Sequence, residues 1–224
     1  MDTNATLHTM YSYTVKITLL ILLINVAFCI FQRKKLNIPF KRLLYFLIWN
    51  LFIETLAFIC IKLEYNNLPL LHIYTLGEFL LLSYFFKVLV DKPTFLKKGF
   101  TYFIVAGSLF IIANSVFFQP IFGFNTFAKT FVQVIIISYA ILYFYNLVEN
   151  PLFSLQVSKS LRLVNSAILV YYSGSLFIFM CSNVYLENME IYVPFWAFNA
   201  LLNFLFQLLI LVGLWNVFYK KKVL

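Results

Sequence analysis

Acidic side chains are scarce: eight Asp and Glu occur in 224 residues, and all charged residues together make up 11% of the chain. A water-soluble domain of this size carries about 25% charge, so a solvated globular surface is excluded. Histidines number two and cysteines three, which leaves no His-rich or Cys-rich set of metal ligands. No nucleophile, phosphate-binding or cofactor motif accompanies them, so no catalytic residue, cofactor or metal is assigned from sequence. Glycines number only six, and Gly-interrupted helices of the kind that line many transport sites are not visible. No connection between apolar runs exceeds roughly 15 residues, which leaves no room for a soluble signalling domain.

What is present is apolar. Hydrophobic residues make up 63% of the chain and the mean hydropathy is +0.90. Seven apolar runs occupy roughly 11–32, 43–62, 69–90, 100–118, 126–148, 163–183 and 192–218. Each is long enough to cross about 30 Å of hydrocarbon at about 1.5 Å per residue. The six prolines (Pro39, Pro69, Pro93, Pro120, Pro151 and Pro194) fall in or beside the six connections, where a helix-ending residue belongs. The first run has no basic segment before it and no small-residue cleavage site, so it reads as a retained helix and not a signal peptide. The expectation is one all-α domain over 1–224, a polytopic seven-transmembrane-helix bundle.

The net charge of +9 would suggest nucleic acid in a soluble protein. Here its distribution points to orientation instead. Arg33, Lys34, Lys35, Lys41, Arg42, Lys87, Lys92, Lys97, Lys98, Lys159, Arg162 and Lys220 to Lys222 fall on one side, fourteen of seventeen basic residues. Lys16, Lys62 and Lys129 lie towards the other side, with Glu64, Glu187 and Glu190. The positive-inside rule then places the N-terminus outside and the C-terminus in the cytoplasm, in the inner (plasma) membrane. The lipid bilayer is the expected partner, and nucleic acid is not.

Two carboxylates fall inside predicted spans. Glu78, in "LHIYTLGEFLLLSYFF", lies nine residues after Pro69, and Glu54 is about eleven residues into the second run. Asn50 precedes Glu54 by four and shares its face. On the last run Trp196, Asn199, Asn203 and Gln207 are spaced three, four and four, one stripe along a helix. An acid at the bilayer centre costs about 2.5–3.5 kcal/mol, so both acids should turn inward. No Lys or Arg is expected at that depth, which predicts that at least one carboxyl is protonated. Glu54, Glu78, Asn50, Asn199, Asn203 and Gln207 are therefore expected to form one cluster between the second, third and seventh helices. That cluster is the candidate ligand or proton site, with His72, Tyr74 and Trp196 at its outer mouth. The competing reading makes the amides glue between helices and His72 a hydrogen-bonded boundary residue. Tyr171, Tyr172, Ser173 and Ser175 read as packing or as cavity lining, and Cys60 and Cys181 as free thiols or as a pair.

The stretches "NNLPLLHIYTLGEFLLLSYFF" and "FWAFNALLNFLFQLLILVGLW" resemble a family of small seven-helix bacterial inner-membrane proteins with no assigned activity. The resemblance implies the fold and the membrane setting alone. Retinal chemistry is excluded because the last run has no lysine before Lys220, and the sequence signatures of G-protein-coupled receptors are missing. Binding of a small solute or lipid-like ligand is the leading reading, including proton-linked transport. A membrane-embedded sensor acting through a separate signalling or homo-oligomeric partner is the alternative, and an intramembrane enzyme the third. Runs one to three and five to seven share directions, as in three-plus-one-plus-three carriers.

Overall fold

The computed structural model describes residues 3–89, 94–149, 158–185 and 189–219. Lys92, Pro93, Pro151, Glu187 and the tail lysines fall outside them. Seven long helices follow one another: α1 (Thr3–Phe31), α2 (Ile38–Lys62), α3 (Leu68–Leu89), α4 (Thr94–Ala113), α5 (Thr126–Glu149), α6 (Lys159–Met180) and α7 (Met189–Tyr219). All seven are long and apolar enough to cross a membrane. The other described elements are a 3-10 turn at Arg33–Lys35, a π-helical turn at Asn114–Phe118 that prolongs α4, and a short helical turn at Ser182–Tyr185.

Local chemistry sets the ends. The Asn37 side chain accepts the Phe40 N–H, with Pro39 in the first turn of α2, and Ser158 does the same for Leu161 at the start of α6. Helix α2 ends with Glu64 at φ 58° and the Tyr65 N–H returning to the Cys60 carbonyl at 2.8 Å. A left-handed residue of this kind satisfies the last carbonyls of a helix. Pro194 departs from its expected role as a boundary marker, since it lies inside α7. It sits near the start of the helix, where its missing N–H removes only an early backbone bond.

The helices close into a ring in the order α1, α2, α3, α5, α6, α7 and back to α1, while α4 packs outside against α3. Its π-helical turn also reaches α5. The usual distribution of side chains is inverted. Asn25, Glu78, Asn125, Gln133 and Asn165 are fully buried, while Tyr102, Phe117, Phe118 and Phe122 are exposed. Buried polar groups with an apolar exterior are what a hydrocarbon solvent selects.

Inside the ring, the end where α2 begins is packed solid by Phe40, Phe46, Leu82, Phe85, Phe86, Tyr143, Val164 and Ile210. The opposite end is hollow. Two glycines permit the close helix approaches. A Cβ on Gly107 of α4 would stand 2.5 Å from the Phe79 ring, and one on Gly77 would overlap the Trp49 indole. Gly77→Val should therefore lower thermal stability in detergent by about 1–3 kcal/mol, the usual cost of overpacking. A melting curve matching wild type would show that α2 and α3 do not meet there as described.

Candidate functional site

The hollow end contains a cavity of about 360 Å³. Its walls come from the beginnings of α1, α3 and α7 and the ends of α2 and α6. Asn50 and Glu54 of α2, Tyr74 of α3, Tyr171 of α6 and Trp196, Asn199, Asn203 and Gln207 of α7 all line it. The three-four-four spacing thus places the whole α7 stripe on one wall, as helical periodicity requires. Glu54 lines the cavity and is exposed by accessible surface, unlike the fully buried Glu78. Gln207 forms part of the floor and is tied down: Asn25 Nδ2 of α1 donates to its side-chain oxygen at 3.1 Å and to its carbonyl at 3.0 Å. Trp196 stacks on Phe124 and meets Phe179 edge-on.

Glu78 belongs to a different site. Its carboxylate accepts from Lys129 Nζ of α5 at 2.6 Å and from the Tyr172 hydroxyl of α6 at 2.8 Å. Lys129 and Glu78 are 1% and 0% exposed. The ammonium also lies over the Tyr74 and Phe179 rings, at 4.6 and 4.8 Å. This overturns two sequence-based expectations. A cation does reach the depth of Glu78, and Glu78 does not cluster with Glu54. Lys129 was assigned to the outer boundary because it stands near the start of its helix. Its long side chain instead runs inward, where the carboxylate and two aromatic faces replace water. Tyr74 and Phe179 line the cavity on one side and cover Lys129 on the other. One aromatic layer therefore separates the ion pair from the cavity.

A third polar assembly, absent from the sequence-based expectations, ties the α4–α5 connection to the bundle through its buried residues Asn114, Gln119, Asn125 and Thr126. Asn114 Nδ2 donates to Gln119 Oε1 at 3.0 Å and to Asn125 Oδ1 at 2.8 Å, and Gln119 Nε2 donates to Thr126 Oγ1 at 2.6 Å. His72 joins this network, with Nδ1 2.9 Å from Ser115 Oγ and Nε2 3.3 Å from the Gly123 carbonyl. Placing His72 at the mouth is thus corrected: it is buried, does not line the cavity and anchors the connection. The π-helical turn lets Asn114 and Ser115 face inward together, a distortion that recurs at functional sites. The sequence offers a partial signal, since Gln119 and Asn125 stand between two apolar runs and Asn114 and Thr126 stand at the adjoining ends of those runs.

The site expected between the second, third and seventh helices is therefore wider, drawing also on α1 and α6. Tyr172 binds Glu78, Tyr171 lines the cavity, Ser175 accepts from Gln133 Nε2 at 2.8 Å, and Ser173 bonds within its own helix. Cys29, Cys60 and Cys181 are free thiols. Among the described residues no group of His, Cys, Asp or Glu could hold a metal ion. No family model, curated protein or solved structure matches the chain.

Removing one member of a buried ion pair leaves the other without a partner and costs about 3–5 kcal/mol, whereas removing both costs less. Lys129→Met and Glu78→Gln should each melt well below wild type in detergent, with the double variant above the sum of the two losses. Strict additivity in that cycle would show that the two residues do not interact.

Proposed function

We propose that the chain is a multi-pass inner-membrane protein that binds a small solute or lipid-like molecule in the cavity between α1, α2, α3, α6 and α7 and carries it across the bilayer with proton coupling. The observation that carries this reading is a ligand-sized cavity holding a carboxylate that no protein group answers. Glu54 has no hydrogen-bond or ion-pair partner among the described residues, in contrast to Glu78. A carboxylate kept in such surroundings is costly and marks a pathway or a site. The cavity lies within the size range of small-molecule pockets, about 300–1,000 Å³.

The ring order supports the carrier. Helices α1–α3 and α5–α7 form its two halves, and α4 stands outside as the linker. The order fits the three-plus-one-plus-three plan of carriers built from two parallel triplets, although the two halves share no aligned sequence repeat. Among the described residues, buried apolar side chains such as Phe40, Phe46 and Phe86 fill the ring at the other end, which is consistent with one state of an alternating-access cycle. With the N-terminus outside, the cavity opens outward, and Arg33, Lys34, Lys35 and Lys41 face the cytoplasm.

A receptor subunit is the second reading, favoured by the shared wall of Tyr74 and Phe179. A ligand pressing on those rings would disturb the Lys129–Glu78–Tyr172 contacts between α3, α5 and α6, and a partner protein would read that shift.

Two measurements bear on these readings. A fluorescent protein that matures only in the cytoplasm should glow when fused after Leu224, and an N-terminal tag should be cleaved by protease added outside intact spheroplasts. The reverse pattern would overturn the orientation. In proteoliposomes containing a pH-sensitive dye, addition of a transported solute should move protons with wild type, and Glu54→Gln should reduce the rate roughly tenfold or more, the effect of about 1.4 kcal/mol. No proton or solute flux with wild type for any solute, together with a co-purifying signalling protein, would favour the receptor.

A further inference from the structure

We propose that the cavity takes a small organic cation, an ammonium compound whose charged head sits against Glu54 and whose apolar part lies against the aromatic wall. The inference rests on the cavity being a ligand site and adds the charge and chemistry of the ligand.

The first observation is the sign of the charge. Glu54 is the one carboxylate among the lining residues, and no Lys, Arg or His lines the cavity. Among the described residues, Lys129 is paired with Glu78, Lys16 lies 5.6 Å from the Tyr13 ring outside the lining, and Lys62 lies 4.8 Å from the ring of Phe58 at the cavity edge. An anion would meet only repulsion here, and a neutral solute would leave the carboxylate unanswered. Desolvating an ion is tolerable only when a partner of opposite charge replaces its water.

The second observation is the wall. Tyr11, Tyr74 and Tyr171 line the cavity and lie within electrostatic reach of Glu54, with Trp196 opposite on α7. Aromatic faces carry negative charge density and bind ammonium groups, the design of cages for quaternary amines.

The third is the supply of acceptors. Asn50, one turn before Glu54, and Asn199 are cavity-lining residues whose Oδ1 atoms have no partner. These oxygens are buried as described, so reaching a ligand takes a half-turn of the amide, which preserves its shape. The groups the cavity offers directly to a cation are the Glu54 carboxylate and the π faces. At about 360 Å³ it holds the head of a lipid but not its two chains, so the ammonium group comes either from a free solute or from a headgroup.

The test is equilibrium binding of radiolabelled choline and phenethylammonium to the full chain in maltoside detergent. Saturable binding of at least one to wild type is expected, weakened roughly tenfold or more in Glu54→Gln and abolished when Ala200→Trp fills the cavity. Tyr11→Leu should weaken it and Tyr11→Phe should not, which covers the case in which Glu54→Gln fails to fold. The neutral isostere 3,3-dimethylbutan-1-ol should not displace the cation. Displacement by short-chain phosphocholine lipid, but not by phosphoglycerol lipid, would assign the headgroup as the source; displacement by neither would assign a free solute. If the neutral alcohol binds as well as choline and Ala200→Trp abolishes both, the cavity is a ligand site but its choice of a cation is wrong. If neither cation binds wild type, the proposal fails, and solute flux in proteoliposomes decides separately whether the carrier reading stands.

Discussion

The arrangement of this bundle depends on one contact, the ion pair between Lys129 and Glu78. Glu78 stands near the middle of α3, whereas Lys129 stands in the first turn of α5. Bringing them to 2.6 Å takes the full reach of the lysine and a deep start for α5. The connection before α5 is drawn in with it, and its backbone and side chains must then find partners inside the protein. Asn114, Gln119, Asn125, Thr126 and His72 provide them. The Tyr172 hydroxyl adds α6 to the same carboxylate, so one charged centre fixes the relative depth of three helices. Neither charge has water to fall back on, and a slip of α5 along α3 would expose both.

The two intramembrane carboxylates meet the same cost of desolvation in opposite ways. Glu78 is answered within the protein, by an ammonium and a phenol. Glu54 has no hydrogen-bond or ion-pair partner among the described residues and lines a cavity bounded by rings and amides. The first arrangement ties three helices together, and the second ties none. Tyr74 belongs to both, since one face of its ring borders the cavity and the other shields Lys129. Phe179 stands in the same double position, so two rings are shared between the cavity wall and the cover of the ion pair.

The spans were legible in the sequence because helix length and hydropathy are local quantities. Helical spacing likewise put Trp196, Asn199, Asn203 and Gln207 on one wall. Partnerships were not legible. Lys129 follows Glu78 by 51 residues, and its position near a helix start reads as interfacial unless the depth of α5 is known. Asn25 was overlooked because one amide in an apolar run carries no periodic signal, although it meets Gln207 across the ring. His72 was misplaced for a related reason: its partners lie on a connection whose burial only the fold reveals. The exclusion of α4 from the ring also has no sequence signature, since its apolar run resembles the other six.

The meeting of α1 with α7 has a temporal meaning as well. Asn25 and Gln207 are 182 residues apart, so the cavity gains its floor and its amide-bearing wall only when the final helix enters the bundle. Until then α1 lacks the neighbour it packs against most extensively. In a polypeptide made from its N-terminus onward, the cavity therefore cannot close until α7 has been synthesised.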